Sequence, residues 1–216
     1  MDTTSGSGNT DNNEERIFET GFKPVSVNYL FIDLMLFTSL LKPCLETIGR
    51  KARQAAIDKL LTTIQWHRHY SSRTTGNKVL AESGYVEHDH EMKTACSLAD
   101  KGYDILFAPQ ALFKRNEKRF DIFLIKNHVI LKADLKCITS KNPDTIAKRI
   151  LQGSEQASRI VVEIASDIGK KQLIDGLRSG VQNNKLIKEI LLFYNRHFYQ
   201  LPKDLIISKR IFELLK

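Results

Sequence analysis

Three polar side chains on two adjacent predicted strands carry the chemistry open to this chain: Asp121 in RFDIFLI, then Asp134 and Lys136 in VILKADLKCI. Carboxylates are hard oxygen donors suited to Mg2+ or Mn2+, and such an ion stabilises charge on a phosphate and helps to activate water. A lysine beside them can orient the nucleophile or neutralise charge developing at phosphorus. The pattern D-(x12)-D-x-K therefore points to phosphodiester hydrolysis. The competing reading of the bare pattern is a pair of surface acids, one of them in an ordinary salt bridge with Lys136.

Strand alternation decides where these groups face. It puts Phe120, Ile122 and Leu124 on one side and Asp121, Phe123 and Ile125 on the other; in the next strand Asp134 and Lys136 share a face opposite Ala133, Leu135 and Cys137. Lys126, Asn127 and His128 form a connection short enough for a hairpin, so both strands can aim at one site. Around them the expected elements are a helix over 87–101 closed by Gly102, a strand over 103–108 stopped by Pro109, and strands over 120–125 and 129–139. A helix over 142–153 follows, capped by Asn142 with Pro143 in its first turn, then a strand over 159–165 and a helix over 171–179. Residues 187–194 read as a strand or a helix end, and 204–215 as a closing helix. This order predicts an α/β sandwich around a mixed central sheet.

Upstream, 25–70 reads as two helices broken near Pro43. Leu45, Ile48, Ala52, Ala55, Ala56, Leu60 and Ile64 line one side of the second, and WHRHY is its polar end. Residues 71–83 lack periodicity and read as a linker with a boundary near residue 80. The division is thus an acidic, polar tail over 1–15, a small helical module and linker over 16–80, and the α/β domain over 81–216. The apolar run Val27 to Leu41 falls short of the roughly 18 residues of a membrane span and carries Asp33, so it reads as a buried or partner-facing helix. Residues 25–70 are accordingly a candidate element for docking a partner or a second copy.

Across the 216 residues, 33 Lys and Arg stand against 25 Asp and Glu, a net +8. Four of the acids fall in the first fifteen residues, so the remainder carries 33 basic and 21 acidic residues, a net +12 that favours a polyanionic partner. Cys44, Cys96 and Cys137 are odd in number and widely spaced, which supports neither a disulfide framework nor a zinc knuckle. The start of the chain lacks the apolar core of a secretory signal, and the expected compartment is a reducing cytoplasm.

The run HEMKTACSLADKGYDILFAP (90–109), KRFDIFLI (118–125), VILKADLKCI (129–138) and DTIAKRILQGSEQASRIVVEI (144–164) resembles the PD-(D/E)xK nuclease core. Within that superfamily it looks like the C-terminal tRNase domain of contact-dependent growth inhibition (CdiA) toxins, over residues 85–195. The resemblance implies a nuclease domain in which Asp121 and Asp134 bind Mg2+ or Mn2+ and Lys136 is the catalytic lysine. Glu91, preferred over Glu87, would complete the acidic cluster, and Gln156 would contact substrate or order the lysine. It also implies RNA, tRNA first, ahead of DNA, a bacterial toxin or mobile-element setting, and an acidic immunity protein as partner. Asp134 stands where many members carry Glu.

Lys114, Arg115, Lys118 and Arg119 form a basic run before the Asp121 strand, suited to drawing phosphates toward the metal, and Lys141, Lys148 and Arg149 extend it. His88, His90 and Glu91 in HDHE resemble a small metal-ligand cluster, but histidines two apart on a helix diverge by about 200° and do not easily share an ion, so they read as capping or exposed polar residues. A non-catalytic nucleic-acid-binding or assembly module on the same fold is the alternative function.

Overall fold

Asn127 and His128 adopt positive φ, 50° and 61°, the geometry of a tight turn whose twist matches that of the strands it joins. Strand β4 (Ile122–Lys126) thereby folds back on β5 (Val129–Ile138), with Ile122 opposite Ala133 and Lys126 opposite Val129. The computed structural model describes residues 64–85, 88–109 and 118–216, with Ala55, Asp58, Lys59 and Thr62 before them. The tail, the apolar run 27–41 and Cys44 lie outside the described residues. Among those described, no helix is long and apolar enough to cross a membrane.

The hairpin lies inside an eight-stranded sheet whose spatial order is the chain order. Before it come β1 (Trp66–Ser71), β2 (Lys78–Glu82), helix α1 (Asp89–Ala99) and β3 (Asp104–Phe107). After it come α2 (Pro143–Ser154), β6 (Arg159–Ile164), α3 (Lys170–Val181), β7 (Glu189–Tyr194), β8 (His197–Pro202), and the short helices α4 (Lys203–Ile207) and α5 (Ile211–Leu214). The pairs β2/β3, β5/β6 and β6/β7 are parallel, and each is bridged by one helix, as parallel neighbours require. The other four pairs are antiparallel. The result is a mixed, open sheet with helices on both faces: the expected α/β sandwich.

Two apolar layers fix which face is which. Ala95, Leu98 and Ala99 of α1 pack with Ile105, Phe107, Ile122, Leu124, Ala133, Leu135 and Val161. On the other face Ile146 and Ile150 of α2 and Leu173 and Leu177 of α3 pack with Ile138, Ile160, Val162, Ile190 and Leu192. Each fully buried Leu or Ile contributes about 2 kcal/mol of transfer free energy, so these layers dominate the stability. Helix α1 is further pinned to β6, Thr94 Oγ1 donating to Glu163 Oε2 at 2.5 Å and Lys93 Nζ lying 3.5 Å from Glu163 Oε1. Asn142 Oδ1 caps α2 through Asp144 N at 2.9 Å, with Pro143 in the first turn.

Several expectations need correction. WHRHY is strand β1 rather than a helix end, and the stretch read as a linker contains β2. The boundary near residue 80 falls inside β2, which pairs with β3 of the same sheet. Phe120 precedes β4 and packs with Phe123 and Ile125, not with Ile122 and Leu124. The closing helix is two short ones, interrupted where Ser208 becomes extended at ψ 161°. Strand β8 was not expected; it pairs with β7 across Asn195 and Arg196, both at positive φ.

Candidate active site

Strand β5 outruns β4. The ladder between them ends at Ile122 and Ala133, leaving the backbone of Leu135 without a strand partner on that side. A buried N–H needs an acceptor, and Asp121 supplies it: its Oδ2 accepts from Leu135 N at 2.6 Å. Asp121 is itself anchored by its backbone, its N donating to Ala133 O at 3.2 Å and its O accepting from Ala108 N at 2.8 Å.

Asp134 and Lys136 point to the α2 face, because Ala133 and Leu135 pack toward α1. The Asp134 side chain is 0% exposed and that of Lys136 16%. The Lys136 ammonium makes an ion pair with Asp134 Oδ2 and lies 3.3 Å from the Leu135 carbonyl oxygen. Asp134 Oδ2 accepts no well-formed hydrogen bond. With its amide nitrogen turned toward the acceptors, Gln156 donates to Asp134 Oδ1 at 2.7 Å and to the Arg119 carbonyl. Burial first, and the neighbouring Asp121 charge second, push the Asp134 carboxyl up to about 7, while Lys136 pulls it down.

Asp121, Asp134, Lys136 and Gln156 therefore come together. Glu91 does not join them. It sits in the first turn of α1, on the face away from Asp134, where it accepts from Tyr85 Oη at 3.3 Å and lies 3.8 Å from His90. Among the described residues no three of His, Cys, Asp and Glu gather as a metal-holding group, so the acidic cluster has two members here and not three. His88 and His90 are both exposed, their rings 6.2 Å apart.

Two carboxylates beside a backbone carbonyl are nonetheless a donor set of the kind Mg2+ and Mn2+ take. The buried Asp134 Oδ2, held by ion pairing alone and accepting no hydrogen bond, fits a further cation. Of the basic run, Lys118 is paired with Glu155 at 2.6 Å, and Arg119 meets Gln156 through its backbone. Lys141 is 3.9 Å from Asp167, and Lys114 and Arg115 lie outside the described residues.

Two groups at the site escaped sequence reading. The Leu135 carbonyl has no side-chain signature. Gly153, taken as the end of α2, is a helical residue packed against Asp134, and its signal was a glycine inside a helical pattern. Comparison with protein-family models, with curated proteins and with solved structures finds no match.

Proposed function

We propose that this chain is a metal-dependent nuclease that hydrolyses phosphodiester bonds in nucleic acid, RNA ahead of DNA and tRNA first. The observation that carries the reading is the convergence of Asp121, Asp134 and Lys136 where β4 leaves β5. Asp121 and Asp134, with the Leu135 carbonyl beside them, would hold Mg2+ or Mn2+, which supplies Lewis-acid polarisation of the phosphate and a lowered pKa for attacking water. Lys136 is placed to neutralise charge developing on the non-bridging phosphate oxygens, and its short tether through the Asp134 ion pair limits its motion. Gln156 fixes the Asp134 carboxylate through Oδ1. Lys118, Arg119 and Lys141 offer positive charge to the flanking backbone, in keeping with a chain of net charge +8.

A toxin or mobile-element effector acting in a bacterial cytoplasm, countered by an acidic immunity protein, belongs to the same proposal. The second reading, a non-catalytic binding module, is favoured by one observation: Glu91 is engaged with Tyr85 instead of the two aspartates. The deciding experiment incubates the purified protein with total tRNA, single-stranded DNA and duplex DNA, with Mg2+, Mn2+ or EDTA, beside Lys136→Ala. Cleavage that needs both metal and Lys136 supports the nuclease. Binding without cleavage of any substrate supports the module.

A further inference from the structure

We propose that Gly153 is a positioning residue for Asp134, a place on α2 where the helix lies close enough to set the carboxylate; this rests on the nuclease reading of the site. Glycine is a poor helix former, and Gly153 lies within α2. Its φ is not in the left-handed region, so conformational freedom is not what the position requires. Space is. A Cβ at this residue would stand 2.7 Å from Asp134 Oδ2 and 3.2 Å from Ile160 Cγ2.

Asp134 has nowhere to retreat. Its side chain is fully buried, Gln156 holds Oδ1 from the turn that follows α2, and the Lys136 ammonium lies against Oδ2. The bare Gly153 backbone thus forms a wall of the carboxylate's niche, and helix position and carboxylate position are one variable. Helix α2 is located in turn by α3, where Gly176 and Gly180 admit Ile146 and Ile150; Cβ atoms there would lie 2.8 Å and 3.0 Å from those side chains. The geometry of the site is therefore set from the α2 layer, through a residue with no functional group.

The test is a double-mutant cycle on the full chain, read by chemical denaturation, together with Mn2+ binding followed by calorimetry. In the native background Gly153→Ala is expected to lower the folding equilibrium constant by about tenfold or more; in the Asp134→Ala background, where the contact with Oδ2 is gone and only the looser one with Ile160 remains, by about threefold or less. Equal losses in both backgrounds overturn the proposal. Should Gly153→Ala fail to fold, recovery of folding in the double variant supports it, and failure of both overturns it.

Mn2+ binding to the folded protein should weaken about tenfold in Gly153→Ala, as a displaced ligand requires. Gly180→Ala, an overpacking of the same helix pair away from Asp134, should leave that affinity within about twofold. Equal losses of Mn2+ affinity in the two glycine variants overturn the positioning role. A native protein that binds no Mn2+ removes the metal reading of the site, while the stability cycle still decides whether Gly153 sets Asp134.

Discussion

Asp121 Oδ2 accepts the Leu135 backbone N–H at 2.6 Å, so one carboxylate both completes the edge of a β ladder and faces the Asp134–Lys136 pair. Structure and chemistry are separable at this residue because only one of them needs charge. Asp121→Asn keeps an acceptor for Leu135 N, whereas Asp121→Ala leaves that donor unpaired. Alanine should lower unfolding stability by about 1–3 kcal/mol and asparagine by distinctly less, while both lose cleavage by about a hundredfold or more. Urea titration alongside the tRNA assay separates the two, and an asparagine variant that still cleaves normally would remove Asp121 from the site.

The elevated Asp134 carboxyl makes stability depend on pH in a defined direction. Its folded pKa, about 7, lies above the ordinary 3.8, so the folded state binds the proton more tightly than the unfolded chain. The stability from this proton is fully present below about pH 4 and is lost as pH rises through about 7, with a limiting slope of roughly 1.4 kcal/mol per pH unit. Asp134→Asn should flatten the melting temperature over that range. An unchanged slope in the variant would assign the titration elsewhere.

Lys136→Met removes the cation that lowers the Asp134 pKa while keeping an unbranched side chain that ends at the position of Cε. Cleavage should fall by about a hundredfold or more, with nucleic-acid affinity changing by less than about threefold. The Asp134 carboxyl should titrate at higher pH than in the native chain, observable by carbon NMR. Loss of binding in parallel with cleavage would recast Lys136 as a substrate anchor.

Glu91→Gln provides a sharp contrast between resemblance and geometry. With Glu91 bonded to Tyr85 and apart from the aspartates, the variant should retain cleavage within about threefold of the native chain. A loss comparable to that of Asp121→Asn would mean that α1 turns toward the site when metal and substrate bind.

Glu155→Gln releases Lys118 from its exposed ion pair. Such pairs are worth about 0.2–1 kcal/mol, so folding should be almost unaffected. Binding to tRNA should tighten by up to about threefold at low salt, and the logarithmic salt dependence should steepen by somewhat less than one unit as one more ammonium meets a phosphate. Unchanged affinity and slope would place Lys118 off the substrate path.

Much of the fold was legible because most elements from α1 through α3 obey recognisable periodicities, whereas EILLFY of β7 does not alternate and left strand and helix end both open. VILKADLKCI alternates apolar and polar residues from Leu131 to Cys137, and α2 announces itself with Asn142, Pro143 and a regular apolar stripe. The polar edge strand WHRHYS concealed itself behind an amphipathic helix pattern, and β2 is only five residues long. In β8, buried Tyr199 and Leu201 do alternate with exposed neighbours, but the Asn195–Arg196 turn lacks the glycine that usually marks such a hairpin. Alternation gave the shared orientation of Asp134 and Lys136 correctly. The position of Glu91 was beyond it, since spacing along α1 says nothing about which side of the sheet that helix covers.

The sheet grows strictly in chain order, each new strand laid beside the one before it, from β1 to β8. Assembly can therefore proceed vectorially as the polypeptide emerges from a ribosome, without waiting for a distant strand to be threaded between two earlier ones. Asp121, Asp134, Lys136 and Gln156 have all been synthesised by residue 156, some sixty residues before residue 216. What they await is the α3 layer that seats α2. A nascent chain would thus carry the site's chemical groups some twenty-five residues before it carries the whole of α3, the helix that aligns them.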